Sequence, residues 1–186
     1  MKRIFDFVLA VILLLLFLPI VLVIVVAVRL TSLGPALFWS DRIGRNSVVF
    51  RMPKFRTMLI ETPSVATHLL KDSKKFITPL GSFLRKTSLD ELPQLISILK
   101  GEMSFVGPRP ALFNQIDLIK LRQESSVDSL RPGLTGWAQI NGRDEISTVE
   151  KATLDKYYLE NFSLFLDLRI LFSTLFLVLG RSGVRH

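Results

Sequence analysis

Residues 7–28 read FVLAVILLLLFLPIVLVIVVAV, a run of 22 apolar residues with Pro19 near its middle. At about 1.5 Å per residue, a helix of that length covers a bilayer core of roughly 30 Å. The run exceeds the apolar core of a cleaved leader, about 7 to 15 residues, and no small-x-small cleavage site precedes Arg29. It therefore predicts a membrane segment over residues 1–33. Pro19 has no amide to offer the Leu15 carbonyl and predicts a helix bent or broken at that point. Two topologies fit. In one, a kinked helix spans the bilayer; in the other, a broken helix dips in and returns to the same face. Lys2 and Arg3 precede the run, and Arg29, Arg42, Arg45 and Arg51 follow it. These charges pull both ends toward the cytoplasm and favour re-entry, although proline is also tolerated in spanning helices.

Outside this segment, residues 34–186 suffice for one compact domain and not for two. The chain has no Cys and two His, His68 and His186. Zinc sites, disulfides, thiol nucleophiles and iron–sulfur clusters are thereby excluded. A metal, if one takes part, is a hard oxygen-liganded ion such as Mg²⁺. The net charge of +8 is unevenly placed: residues 41–110 hold twelve basic and six acidic residues, whereas residues 111–186 hold nine of each. A basic middle suits a nucleotide diphosphate, a polyanion or an anionic leaflet, and equally a solvated surface.

The pattern predicts a predominantly α domain with a small β-hairpin. Ala36–Trp39 and Val48–Phe50 flank a polar Asp41–Ser47 segment that reads as the hairpin turn. Residues 59–79 read as a loop with one short helix at most. Leu92, Leu95, Ile96 and Leu99 have helical spacing, ended by Gly101. A further helix is expected from Ala111 to about Gln123, and rigid loops around Pro108-Arg109-Pro110 and Arg131-Pro132-Gly133. Phe162–Leu179 is rich in Phe and Leu but carries Asp167 and Arg169. It predicts an interfacial amphipathic helix over about 162–180, its apolar side buried and both charges facing water. A core helix of a soluble domain has the same pattern.

Candidate chemistry centres on Thr87-Ser88-Leu89-Asp90-Glu91-Leu92-Pro93. Ser-x-x-Glu reads as a capping box, but Pro93 would then sit where its missing amide costs a helical bond. A start nearer Asp90 frees Glu91 from capping. Asp90 and Glu91, near Arg85 and Lys86, then form a centre for metal and phosphate. Lys54 and Arg56 flank Phe55, Arg109 lies between prolines, Arg131 precedes Pro132, and Arg143 follows Asn141-Gly142. Arginine offers a bidentate fork to phosphate, and rigid neighbours reduce the entropy lost in holding it there. Each is also a candidate surface ion-pair partner. Asp155 and Glu160 either join the site or solubilise a helix. Most of the 14 Phe lie in the apolar terminal segments, not among the basic residues, which argues against a nucleic-acid platform.

Four blocks carry a family resemblance: Lys54–Met58, Leu84–Leu95, Met103–Pro110 and Arg131–Arg143. In this order and spacing they resemble the bacterial sugar transferases called monotopic phosphoglycosyl transferases, in their small, catalytic-domain-only form. The resemblance implies transfer of a sugar 1-phosphate from a nucleotide-diphosphate sugar, commonly a UDP-sugar, to a membrane polyprenol phosphate such as undecaprenyl phosphate, with release of UMP. That reaction is the first membrane step of polysaccharide, O-antigen or glycoprotein glycan assembly, and its product passes to downstream glycosyltransferases. The resemblance further implies Mg²⁺, a re-entrant first helix, and a domain on the cytoplasmic face of the bacterial inner membrane. Asp90 would be the nucleophile, forming an acyl-phosphate intermediate, and Glu91 a metal ligand or acid/base partner. Lys54, Arg56, Arg85, Arg109, Arg131 and Arg143 would bind phosphate. The sequence departs from the family pattern at Leu18, Pro53 and Thr148, where a small polar residue, an aromatic and a Trp are common. A membrane-tethered basic binder of anionic lipid or nucleic acid, without catalysis, is the alternative that charge alone allows.

Overall fold

The structure, a computed structural model, describes residues 1–62, 73–142 and 146–179. Among these, helix α1 (Lys2–Thr31) is the one helix long and apolar enough to cross a membrane. Pro19 lies inside it, depriving the Leu15 carbonyl of its donor without ending the helix. The sides of α1 divide by environment: Ile12, Leu15, Leu16, Leu22, Val23 and Val26 are exposed, whereas Ala10, Ile24 and Val28 are buried.

Both ends of α1 dock on the rest of the chain. At its start, Lys2 Nζ donates to Asp167 Oδ2 at 2.6 Å, Arg3 donates to the Ile98 and Leu99 carbonyls, and Asp6 Oδ1 accepts from the Phe105 amide at 3.2 Å. At its end, Arg56 Nη2 donates to the Ser32 carbonyl and hydroxyl at 2.9 and 2.8 Å. Ile24 and Val28 pack there with Phe55 and Leu84.

The expected hairpin forms from β1 (Leu37–Ile43) and β2 (Val49–Phe55), paired antiparallel from Leu37↔Phe55 to Ile43↔Val49. Its strands run further than expected, and Arg42 belongs to β1 and not to the turn. Asn46, at φ 53°, closes the turn in a left-handed conformation that Asn adopts more readily than most residues. Pro53 is accommodated within β2, opposite Trp39; a two-stranded sheet has only edges, where a missing donor costs little.

After a short helix α2 (Ser73–Phe76), α3 (Pro79–Lys86) is started by Thr78, whose Oγ1 accepts from the Gly81 amide at 2.9 Å, with proline as the first helical residue. Gly81 is required by proximity: a Cβ there would lie 2.0 Å from the Thr57 carbonyl oxygen. Helix α4 (Gln94–Lys100) ends at Gly101, φ 86°, as its pattern implies. Its buried face is Leu95 and Ile98, while Ile96 is exposed.

Two short parallel strands, β3 (Ser104–Val106) and β4 (Gly133–Thr135), were not apparent from the sequence, where the Pro–Gly segments read as loops only. Helix α5 (Ile116–Glu124) begins later than expected, because Ala111 and Leu112 continue the sheet by bridging to Ile43 and Arg42. The fold closes with α6 (Trp137–Ile140), α7 (Thr148–Glu160) and α8 (Leu164–Leu179). Thr148 opens α7 behind a capping box formed by Ser147 and Glu150.

The main core gathers Ala10, Phe50, Met52, Leu95, Ile98, Met103, Phe105, Val106, Tyr158, Leu166 and Ile170, drawn from α1, the hairpin, α4, β3, α7 and α8. Each large side chain buried here contributes about 1.5 to 3 kcal/mol. On α8, Phe165, Phe172, Leu175 and Phe176 are exposed. Asp167 corrects the expectation that both charges of this helix face water. It is 1% exposed and accepts from Lys2 and from the Tyr158 hydroxyl, the latter at 2.6 Å. A buried carboxylate needs such partners. Arg169 is exposed and lies over the Trp137 ring, 5.6 Å from its centre.

Candidate active site

Asp90 and Glu91 lie on a single 3₁₀ turn, Leu89–Glu91, wedged between α3 and α4. Ser88 precedes it at φ 57°, a left-handed conformation that a serine holds only where its surroundings enforce it, at a cost of about 1 to 3 kcal/mol. Ser88 makes no side-chain capping bond. Pro93 stands just before α4, later than the start near Asp90 that the sequence suggested. Glu91 is freed from capping in either case. Leu89 and Leu92, on either side of the carboxylates, pack against the cluster of Ile24, Val28, Phe55 and Leu84. The turn is thereby braced on the far half of α1.

Glu91 Oε1 accepts from Lys54 Nζ of β2 at 2.7 Å and from Arg109 Nη2, beyond β3, at 2.9 Å. Burial acts to raise the Glu91 pKa, but the two cations outweigh it and hold this carboxyl well below the usual range. Asp90 is 8% exposed. Burial pushes its carboxyl up to about 6; Lys54, Arg85 and Arg109 pull against that, and the Glu91 charge adds to it. One turn therefore carries two different carboxyl groups, one firmly ionised and clamped by cations, the other more basic and still mostly ionised at neutral pH. The turn thus offers one candidate nucleophile and one supporting group.

Of the basic residues named from sequence, Lys54, Arg85 and Arg109 come together here. Arg85, at the end of α3, donates through Nε to Thr57 Oγ1 at 2.9 Å, and Asp90 acts on it electrostatically. Arg56 does not join them. It holds the end of α1 at Ser32, with Nε and Nη1 buried and without a hydrogen-bond partner among the described residues. Arg131 is also elsewhere, donating to the Gly101 carbonyl at 2.9 Å and lining a cavity of about 200 Å³ with Lys2, Arg3, Asp6 and Tyr158. Arg143 and His68 lie outside the described residues.

Arg42 was missed by sequence reasoning. Burial and the neighbouring Arg109 push its pKa down to about 10, and Glu91 acts against that shift. It donates through Nη1 to the Pro110 carbonyl at 3.2 Å. The strand register supplies the signal: Phe38↔Lys54, Ser40↔Met52 and Arg42↔Phe50 share one face of the hairpin, so Arg42 and Lys54 point the same way. Asp155 does not reach the carboxylates; it is 1% exposed and paired with Arg122 at 2.7 Å. Glu160 pairs loosely with Lys156 on the surface at 3.7 Å.

No group of three or more acidic or histidine side chains that could enclose a metal occurs among the described residues. Two adjacent carboxylates still fit Mg²⁺, which is commonly held by one or two protein carboxylates together with substrate phosphates and water.

Comparisons with known proteins bear on the family of the chain. A family model described as bacterial sugar transferase matches residues 1–181. The whole chain is 43% identical to a sugar transferase of Bacillus subtilis, EpsL, and covers 91% of that protein. It is 40% identical, over 95% of its length, to the Escherichia coli UDP-glucose:undecaprenyl-phosphate glucose-1-phosphate transferase, of which it spans 39%. Over 98% of its length it is 36% identical to the Salmonella typhimurium undecaprenyl-phosphate galactose phosphotransferase, of which it spans 41%.

Proposed function

Because this chain belongs to the bacterial sugar transferase family, we propose that it moves a sugar 1-phosphate from a UDP-sugar to a membrane polyprenol phosphate such as undecaprenyl phosphate. The observation that carries the reading is the Asp90–Glu91 turn: a buried, basic carboxylate beside a clamped one, braced on the membrane helix. Asp90 attacks the sugar-bearing phosphorus, the bond to the UMP oxygen breaks, and UMP leaves. An oxygen of the polyprenol phosphate then attacks the acyl phosphate, which frees Asp90 and yields the polyprenyl-diphosphate sugar. Splitting the transfer lets a soluble donor depart before a lipid acceptor reacts.

Lys54, Arg109 and Arg42 stand where they offset the repulsion between an anionic nucleophile and an anionic diphosphate. Asp90 and Glu91 would hold Mg²⁺, which, when bound, supplies further neutralisation of the diphosphate. Arg143, in the fourth motif block, is assigned to phosphate by resemblance alone. The named activities of the relatives differ in their sugar, glucose in one and galactose in another, so the sugar is assigned only as a class.

The same reading places the domain on the cytoplasmic face of the inner membrane, with α1 entering and leaving on one side. Support comes from the docking of both its ends on one folded body, at Asp167 and at Arg56; a helix crossing the bilayer would separate those ends by its thickness. An amino-terminal reporter accessible only from outside the cell would defeat this topology.

Protein held in nanodiscs is to be incubated with Mg²⁺, a panel of UDP-sugars and undecaprenyl phosphate. Release of UMP with at least one sugar, and a phosphosugar adduct on Asp90 by mass spectrometry, are expected. No release with any sugar sinks the proposal, and an adduct that persists in Asp90→Asn moves the nucleophile elsewhere.

A further inference from the structure

The loop between β3 and α5 carries Arg109 to Glu91 and is held by hydrogen bonds from both sides. Arg122 Nη1 donates to the Arg109 carbonyl at 2.9 Å, Arg42 Nη1 to the Pro110 carbonyl at 3.2 Å, and the Ile43 amide to the Ala111 carbonyl at 2.9 Å. On the other side, the Gly107 amide donates to Thr135 and the Gly133 amide to Pro108, both at 2.9 Å. Pro108 and Pro110 fix φ on either side of Arg109.

Arg122 sits on α5 and is 7% exposed; Asp155 sits on α7 and is 1% exposed. Asp155 Oδ2 accepts from both Nε and Nη2 of Arg122, at 3.0 and 2.7 Å. A guanidinium is a rigid planar fork, so fixing two of its donors aims the third. Here the third is aimed at the Arg109 carbonyl. For holding α5 against α7, a charged pair has little advantage, since desolvation offsets its attraction and apolar residues of similar size do as well. What the pair adds is direction.

We propose that Asp155 and Arg122 are positioning residues for sugar-phosphate transfer: Asp155 orients Arg122, Arg122 fixes the Arg109 backbone, and the Arg109 guanidinium is thereby set against Glu91 and the incoming diphosphate. The proposal rests on the reading of Glu91 and Arg109 as part of the transfer site. It gives α7, remote from the carboxylates in sequence, a part in the reaction.

Arg122→Lys keeps a cation for Asp155 but lacks the fork that also reaches Arg109, and Asp155→Asn releases Arg122. Each should lower kcat for UMP release about tenfold to a hundredfold, with the KM for polyprenol phosphate unchanged. Adding Arg122→Lys to Arg109→Ala should cost less than about threefold more, because a residue that acts through another has nothing to act on once that one is gone. Losses that multiply, an unchanged kcat, or variants that merely unfold would overturn the proposal in favour of a purely structural pair. A readout independent of turnover uses the absence of Cys: a spin label on Arg109→Cys should be immobilised with Arg122 intact and mobile in Arg122→Lys. No change in mobility overturns the positioning role even if no nucleotide sugar is turned over. A changed mobility with no turnover would retain the linkage and remove the functional reading alone.

Discussion

Lys2 and Asp167, 165 residues apart, meet at 2.6 Å, joining the first turn of α1 to the first turn of α8. The ammonium is 23% exposed and the carboxylate 1%, so the two partners are not equivalent. Among the described residues, Lys2→Ala leaves the buried carboxylate with the Tyr158 hydroxyl as its remaining side-chain partner, whereas Asp167→Asn removes the charge and keeps an oxygen for that hydroxyl. Lys2→Ala should therefore be the more destabilising, by about 2 kcal/mol against 1 or less. Thermal unfolding of the two variants in the same nanodisc checks the order, and equal losses would mean the pair does not hold the helices together.

Asp90 should be held at the expense of stability. Its folded pKa, about 6, is raised above its ordinary value of 3.8, so its contribution to stability is fully present below the unfolded pKa and is lost as pH rises through about 6. Asp90→Asn removes that loss. The variant should be inactive yet more stable than the parent at pH 7.5, by up to about 3 kcal/mol, and no more stable at pH 4. Unfolding transitions at the two pH values decide the matter; a stability difference that does not grow with pH would contradict the burial argument.

Glu91 should act on Asp90 through charge. Its carboxylate adds to the rise in the Asp90 pKa and occupies Lys54 and Arg109. In Glu91→Gln, both cations are released toward Asp90, whose pKa then falls. The acidic limb of the kcat/KM profile, expected near pH 6 in the parent, should move to lower pH, while kcat at neutral pH drops on the order of a hundredfold. A lowered kcat with an unmoved limb would confine Glu91 to metal or substrate binding.

The parts of this molecule written as local chemistry were legible before the structure. The apolar run, the Gly101 helix stop and the turn within Asp41–Ser47 each depend on neighbouring residues, and Pro93 gave the one local hint against a capping role for Glu91. What was hidden depended on register and on distance along the chain. Arg42 looked like turn because the strand beyond Trp39 turns polar, yet its pairing with Phe50 puts it on the face of Lys54. Asp167 reads as a polar interruption of an interfacial helix, and its burial is explained by Lys2 and Tyr158, which reach it from elsewhere in the fold. The motif blocks named six cations, but Arg56 and Arg131 were drawn to the Ser32 and Gly101 carbonyls, capping roles that arginine performs as readily as phosphate binding.

Gly81 should matter to the reaction without touching it. A Cβ there would meet the Thr57 carbonyl oxygen at 2.0 Å and its carbon at 2.6 Å, and neither backbone atom can move aside as a side-chain tip would. Alanine favours helix by about 1 kcal/mol over glycine, but overpacking against the strand end costs about 1 to 3 kcal/mol. Gly81→Ala should thus be net destabilising, whereas Lys86→Ala, at an exposed position of the same helix, should be nearly neutral. The shift of α3 away from Thr57 would also stretch the Arg85–Thr57 bond of 2.9 Å and weaken the pull of Arg85 on Asp90. The acidic limb of the Gly81→Ala profile should accordingly move to higher pH, opposite to the shift expected for Glu91→Gln. A destabilised Gly81→Ala whose limb stays at the parent's position would show that Arg85 is held at the site by something other than the packing of α3 on Thr57.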